Sequence, residues 1–273
     1  GQSNMVGGAS VNEVSLELVS MIDPMTDVPM RQWINGAEYD DLKWNAHLAP
    51  RHTGFGPEMG LAHRIRAARP DHDFAIIKIA QNGSGLECAW NPEGCGIRLY
   101  QKLRVLTDRW MDELRTDGVD CRLAGLIWVQ GESDARSDSN SQNYGENLHA
   151  FMSSLRRDLR RARLPCVVAR VHPRSEEYLF GNAVRAGMIA LDAQDPLMSS
   201  IGISDLPLKE DQVHLSSDSM IRIGCRTADA LLALGALDDD TAVRPCQGDL
   251  DGDGAVTISD VLELLGSWEA CSP

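Results

Sequence analysis

The sequence predicts an α/β fold, a parallel sheet between two layers of helices, followed by a small separate C-terminal segment. Three observations predict it. Short apolar runs bounded by turn residues alternate with longer segments whose apolar residues recur at helical spacing. Polar, chemistry-bearing residues follow two of the strand-like runs, and in open parallel sheets sites collect at the carboxyl ends of the strands. After Gly235 the composition changes, and the stretch containing Asp238-Asp239-Asp240-Thr241 and Pro245-Cys246 reads as a linker.

From Ala9 to Thr53 the pattern is poor, rich in Asp, Asn, Pro and Trp without sustained periodicity, which predicts long loops at the rim of a site. Trp33, Trp44 and Trp90 are of a type that stacks on sugar rings, but the ordinary place of a tryptophan is the core, and they are not counted as site residues. Phe74 to Ala80 is a short apolar run between turn residues, a buried strand. Leu99, Leu103, Leu106, Trp110 and Leu114 mark an amphipathic helix ending near Gly118. Leu123 to Val129 is the next strand, and Leu148, Phe151, Met152, Leu155 and Leu159 mark the next helix. Pro165 opens a strand through Val171, Leu179 to Leu191 is helical, Ser199 to Ile203 is the last strand and Leu215 to Leu234 the last helix. Strands separated by helices pair in parallel through crossovers and leave three layers.

With 273 residues, 43% of them hydrophobic, the chain can bury one sizeable core and a small appendage. A net charge of -14 argues against a nucleic-acid partner, whose phosphates need a basic patch. No run is long and apolar enough to span a bilayer. No signal peptide is visible, but the chain does not begin with Met, so that says little. Of the seven cysteines, Cys88 with Cys95 and Cys246 with Cys271 bracket short segments and read as local clasps suited to an oxidising compartment, free thiols being the alternative. Cys121, Cys166 and Cys225 lie in or beside apolar runs and read as buried thiols. No Cys/His cluster has zinc spacing.

Three runs carry chemistry: Gly1-Gln2-Ser3-Asn4-Met5, Trp128-Val129-Gln130-Gly131-Glu132 and Asp211-Gln212-Val213-His214. A serine hydroxyl becomes a nucleophile when an imidazole takes its proton, and the imidazole is best held by a carboxylate. Asp211 and His214 are close enough in sequence for one turn to hold both. Gln130 could aim its side-chain amide where negative charge develops on a carbonyl oxygen. Each run alone has a bland reading: Ser3 as a turn residue, His214 as a surface or capping histidine, Gln130 and Glu132 as the end of a buried strand. Their co-occurrence in an α/β pattern favours the chemical one.

These blocks, GQSNM, WVQGESD (Trp128 to Asp134) and DQVH, resemble those of the SGNH-hydrolase superfamily, in the branch of sialate O-acetylesterases and related carbohydrate acetylesterases, including acetylxylan esterases. Gly54-Phe55-Gly56-Pro57-Glu58 and Lys78 to Leu86 match two softer blocks, so the resemblance runs from Gly1 to about Ala233. It implies a flavodoxin-like three-layer fold with Ser3 as nucleophile, His214 as general base and acid, and Asp211 as its orienting partner. It also implies an oxyanion hole from the backbone amides of Ser3 and Gly83 and the side chain of Gln130. The family usually has Gly-Gly-Thr where this chain has Asn82-Gly83-Ser84. Glu132 and Asp134 match their block and are expected to be structural. In a parallel sheet the nucleophile follows a strand of five or six residues, placed in the family inside the sheet. The expectation is therefore that this sequence is a fragment lacking an apolar strand, and a signal peptide, upstream of Gly1.

The esterase-like domain spans 1–236, the linker 237–247 and the appendage 248–273. In the appendage, Asp249, Asp251, Asp253 and Asp260 stand at positions 1, 3, 5 and 12 of a loop with Gly254 at position 6, the ligand pattern of a calcium loop. Ala255 would add its backbone carbonyl, and Thr257 would bind directly or through water. Position 12 is Asp, and only the segment Val261 to Leu265 forms a following helix, so the repeat resembles a dockerin. Dockerins usually carry two repeats, which leaves a cohesin-like or cell-surface partner open. The whole reads as a secreted or cell-surface, metal-independent serine esterase that removes O-acetyl groups from an acetylated polysaccharide or sialic acid. The rival is a non-catalytic, calcium-dependent carbohydrate-binding or scaffold protein on a degenerate esterase fold.

Overall fold

The computed structural model describes residues 1–38, 47–50, 54–173 and 178–238. Trp44, the Cys246–Cys271 pair, the loop from Asp249 to Asp260 and the helix expected from Val261 lie outside the described residues.

Two groups of strands form the middle layer. In the first, β1 (Met25–Ile34) pairs in parallel with β4 (Ile76–Ala80) and antiparallel with the two-residue strands β2 (Ala37–Glu38) and β3 (His47–Leu48). In the second, β5 (Leu126–Val129), β6 (Cys166–Ala169) and β7 (Met198–Ile201) are parallel and adjacent in that order. Gly1 and Gln2 stitch the groups together. The Gly1 amino group donates to Ile79 O at 3.1 Å, Gln81 N donates to Gly1 O at 3.0 Å, and Gln2 N donates to Val129 O at 3.0 Å. The stitch lies at the carboxyl ends of β4 and β5, and the chain then turns into the short helix α1 (Ser3–Val6).

Strand alternation sorts the core into two faces. Ile79, Trp128, Cys166 and Val168 pack with α3 (Leu99–Thr116), α5 (Tyr144–Asp158) and α6 (Gly181–Gln194). Val129 and Ala169 pack on the opposite face with α2 (Glu58–Ala68) and α7 (Ser217–Ala233). A five-residue helix, α4 (Asp138–Gln142), precedes α5. Helices α2 and α7 cross at Gly60 and Gly224, where a Cβ would meet Ile221 O or Pro57 O at 2.1 Å, so only glycine allows the approach. Among the described residues no helix is long and apolar enough to cross a membrane.

The three-layer α/β prediction holds, and every strand and helix expected between Phe74 and Leu234 exists, most with ends a few residues from those predicted. The long loop expected from Ala9 to Thr53 is overturned by β1. Its residues follow an irregular burial pattern and include Asp27, Pro29 and Arg31, so neither strand alternation nor a continuous apolar run shows. A register shift between Met25 and Pro29 lets the sheet absorb a proline. The sheet is consequently mixed where β2 and β3 join it. Helix α2 also escaped prediction, because its buried face includes Glu58 and Gly60 among charged neighbours.

Trp33 and Trp90 are buried core residues. Cys88 and Cys95 form a disulfide with Cα atoms 4.9 Å apart. Of the three cysteines expected to be buried thiols, Cys166 is fully so, and burial pushes its thiol up to about 12. Cys121 and Cys225 are half-buried. Leu237 packs with Leu61 and Ile65, so the folded body reaches one residue into the expected linker.

Candidate active site

Ser3 opens α1 immediately after the stitch, half-buried at the carboxyl ends of the central strands. The turn is tight: Gln2 O accepts from both Met5 N and Val6 N at 2.8 Å, and a Cβ on Gly1 would lie 2.6 Å from Val129 O. Under it sits a buried ion pair. Lys78 Nζ donates to Glu58 Oε2 at 2.8 Å and to Val6 O at 3.0 Å, while Glu58 Oε1 accepts from Gly56 N at 2.8 Å. The softer sequence blocks around Gly56 and Lys78 are thus joined beneath the nucleophile turn.

Asp211 and His214 share one turn, as their spacing predicts. Asp211 Oδ2 meets His214 Nδ1 at 2.7 Å, and its Oδ1 accepts from the amides of Val213 and His214 at 2.9 Å each. The turn requires Gln212 in the left-handed region, at φ 56°. Partial burial pushes the Asp211 carboxyl up, but the His214 amide, the His214 imidazole and the Val213 amide outweigh it and hold it at about 2. Asp211 is therefore ionised at any neutral pH and orients the imidazole through Nδ1, leaving Nε2 for a substrate or nucleophile.

Asn4 ties this turn to the nucleophile. Its Oδ1 accepts from Leu215 N at 3.0 Å, and its Nδ2 donates to Glu132 Oε1 at 2.8 Å. Glu132 is buried, and burial pushes its carboxyl up against the opposing pull of Asn4 and His214. Asn4 was not singled out in the sequence, although it sits beside Ser3. Only its contacts with residues more than a hundred positions away reveal its role.

Gln130 stands elsewhere than expected. Its Nε2 donates to Asp134 Oδ2 at 2.6 Å, to Ser84 O at 3.0 Å and to Gln2 Oε1 at 3.2 Å, and its Oε1 accepts from Tyr144 at 3.0 Å. The side chain is buried behind the cleft, with its amide hydrogens committed to the protein. Asp134 supplies the reason: it also accepts from the amides of Leu86 at 2.9 Å and Glu87 at 3.1 Å, so it braces the Gly83 loop. Burial pushes the Asp134 carboxyl up despite these bonds. Ser84 takes the family's threonine position and bonds Gln81 O and Trp90 Nε1, each at 2.7 Å.

A cleft of about 260 Å³ brings Ser3, Gly83, Glu132 and His214 together, with Arg136 and Tyr178 on its wall. Gly83 has φ 63° with open space where a Cβ would point, so its backbone meets the cleft unshielded. The Arg136 guanidinium lies 5.7 Å from the Tyr178 ring centroid. Among the described residues no hydrogen bond joins Ser3 to His214, and no group of three His, Cys, Asp or Glu could hold a metal ion. The cleft thus combines a hydroxyl, an oriented imidazole and exposed backbone amides, the parts an acyl-transfer reaction needs.

Comparison with known proteins agrees. A family described as carbohydrate esterase, sialic acid-specific acetylesterase, matches residues 1–233. A probable carbohydrate esterase of Arabidopsis thaliana is 27% identical over 201 residues, covering 71% of this chain and 72% of that protein. A solved Arabidopsis thaliana structure superposes with a TM-score of 0.67 at 20% identity, over 85% of this chain and 95% of its own. The structure of a carbohydrate acetylesterase from Xanthomonas citri superposes with a TM-score of 0.58 at 18% identity, over 86% and 55%. At such identities the two superpositions speak to the fold.

Proposed function

The chain belongs to the carbohydrate esterases of the sialic acid-specific acetylesterase family, and we propose that it removes O-acetyl groups through a Ser3 acetyl-enzyme. His214 Nε2 takes the Ser3 proton as Oγ attacks the acetyl carbonyl, then returns it to the departing sugar hydroxyl. Water activated by the same imidazole releases acetate. Asp211 keeps the imidazole oriented and stabilises its charged form. The backbone amides of Ser3 and Gly83 receive the oxyanion. Gln130, expected to donate a third bond, acts in this reading from behind the cleft, holding Asp134 and the Gly83 loop in place.

The observation that carries the reading is the Asp211–His214 pair at 2.7 Å, on the same cleft as Ser3 and Gly83. The cleft volume of about 260 Å³ has room for a short acyl group. A chromogenic acetyl ester tests it. Ser3→Ala and His214→Ala should each lower kcat by roughly a thousandfold or more, since the pair acts as a unit. Near-normal turnover by Ser3→Ala would remove the mechanism. A panel of acetylated polysaccharides and sialic acids then separates the two substrate classes.

For the appendage we propose one Ca2+ held by Asp249, Asp251, Asp253, the Ala255 carbonyl, Thr257 and Asp260, in a secreted or cell-surface protein. Carboxylates at these loop positions support it. Calorimetric titration should find one site that Asp249→Ala abolishes, and chelation should leave acetyl-ester turnover unchanged.

A further inference from the structure

The loop that brings Gly83 to the cleft runs over residues 81–98, from the end of β4 to the start of α3. It is held from two sides. On one, Ser84 O accepts from Gln130 Nε2 at 3.0 Å, and Asp134 takes the amides of Leu86 and Glu87. On the other, the hold is a side-chain relay. Trp90 Nε1 donates to Ser84 Oγ at 2.7 Å, and Ser84 Oγ donates in turn to Gln81 O at 2.7 Å. The second bond closes a short turn with Gly83 inside it. The direction of the Gly83 amide therefore follows from where the Ser84 hydroxyl is held. A hydroxyl has one proton to give, and Gln81 O takes it, so the indole N–H meets a lone pair and fixes the rotamer.

Trp90 is in turn held by a covalent ring. It is fully buried, edge-on to Trp128 with centroids 5.1 Å apart, and lies inside the loop that the Cys88–Cys95 disulfide closes. The ring is compact: Gly94 N donates to Asn91 O at 2.9 Å, and a Cβ on Gly94 would lie 1.8 Å from Cys88 O. Ala89 O accepts from Leu99 N at 2.6 Å, which fastens the ring to α3. The disulfide itself is at the surface, with Cys95 exposed and Cys88 half-buried. A bond open to reagents in solution thus sits two residues from the buried indole that sets the Gly83 turn. A cross-link over so short a loop restricts the chain between its ends, and access decides how readily it exchanges.

We propose that the Cys88–Cys95 disulfide is a redox-sensitive clasp on turnover, with Trp90 and Ser84 as the positioning residues through which it aims the Gly83 amide, a role that rests on Gly83 being an oxyanion donor. The reductant it answers to is a dithiol. A thiolate of the dithiol attacks the exposed Cys95 sulfur, the S–S bond breaks, and Cys88 leaves as a thiolate that takes a proton. The second thiol of the reagent then attacks the reagent's own sulfur in the mixed disulfide and releases Cys95, which is protonated. Two electrons and two protons pass to the protein, and the dithiol becomes a cyclic disulfide. With the clasp open, the segment carrying Trp90 widens, the indole N–H leaves Ser84 Oγ, and the Gly83 amide loses its fixed aim. Asp134 and Gln130 still hold the other side, so the amide is misdirected and not lost.

The test compares the full chain, oxidised and after reduction by dithiothreitol, in chromogenic acetyl-ester turnover and in exchange of the Gly83 amide and the Trp90 indole N–H. Reduction should lower kcat roughly tenfold, less than the hundredfold or more that follows outright loss of an oxyanion donor. KM should stay nearly the same, the mark of a bond made in the transition state. Both exchange rates should rise, and reoxidation should reverse every change. Cys88→Ser combined with Cys95→Ser should reproduce the fall and no longer respond to dithiothreitol, which separates this disulfide from the other cysteines. Trp90→Phe, which keeps a ring and drops the N–H, should lower kcat to a similar degree. Ser84→Ala should cost more than Ser84→Thr, which keeps the hydroxyl. Equal kcat in the oxidised and reduced protein overturns the proposal, as does unchanged exchange at Trp90 and Gly83. A dithiothreitol response that survives in the double serine variant overturns it too. Failure of the Ser3 mechanism looks different: Ser3→Ala would keep its turnover while exchange at Trp90 still followed the clasp.

Discussion

The two ends of β4 and β5 are built differently. At their carboxyl ends Lys78 is paired with Glu58, Gln130 is locked to Asp134 and Tyr144, and Trp128 packs edge-on against Trp90 at 5.1 Å. At their amino ends the same strands turn Ile76, Ile77, Leu126 and Ile127 toward a slot of about 940 Å³, half-exposed. The cleft end is thus held by polar bonds and aromatic packing gathered within a few residues.

The largest break in that comparison should come from Lys78→Met, which strands the Glu58 carboxylate in the interior. Loss of one partner of a buried pair costs about 3–5 kcal/mol. Urea unfolding measures it, and adding Glu58→Gln should recover much of the loss. If Lys78→Met is neutral, the closed end does not depend on this pair.

Neighbouring positions on β5 sharpen the contrast. Trp128→Ala at the closed end should cost about 3–5 kcal/mol, and Ile127→Ala, already open to the slot, at most about 2. Equal costs would mean that the slot is closed in solution.

A smaller effect is expected from Asp134→Asn, which loses acceptor capacity toward Gln130 and the amides of Leu86 and Glu87. A buried donor left without its partner costs about 1–3 kcal/mol. Because the Gly83 amide rides on that loop, kcat should fall by roughly tenfold with KM nearly unchanged, the signature of a bond made in the transition state. A change confined to stability would make Asp134 purely structural.

The smallest effect is in pH dependence, where two carboxylates act with opposite signs. Asp211 is depressed to about 2, so its contribution is present above the unfolded value of about 3.9 and is lost only as pH falls through about 2. Its exposure makes that contribution small. Glu132 is raised by burial, so its contribution is full below about 4.3 and is lost as pH rises through its higher folded value. Unfolding of Glu132→Gln should show a flatter stability profile in that window; an unchanged profile would place the titration on another group.

Much of the site was legible in sequence because its parts are local. Asp211 and His214 lie three residues apart, and the turn that joins them is made of their own backbone amides. Ser3 and Gly83 were legible through the resemblance of their short blocks to a known family, not through their turns alone. Gln130 was legible as an important residue but not in its orientation, since its partners Gln2, Ser84 and Tyr144 come from separate parts of the chain. The strand β1 was hidden because pairing with β4, not its own alternation, makes it a strand; Asp27 and Pro29 obscure the pattern, and the register shift that admits Pro29 exists only in the sheet.

By itself the sequence determined the alternating α/β order, the Asp211–His214 pair and the family, all of which rest on patterns within a few residues or on short blocks; it left the Cys88–Cys95 clasp as one of two readings, which the structure settled. Tertiary structure decided the rest: that Asn4 clamps Glu132 to the histidine turn, that Asp134 draws Gln130 behind the cleft, and that Gly60 and Gly224 let two helices touch. Such facts depend on which distant groups meet and how completely water is excluded between them, and burial of that kind is a property of the packed chain, not of any segment.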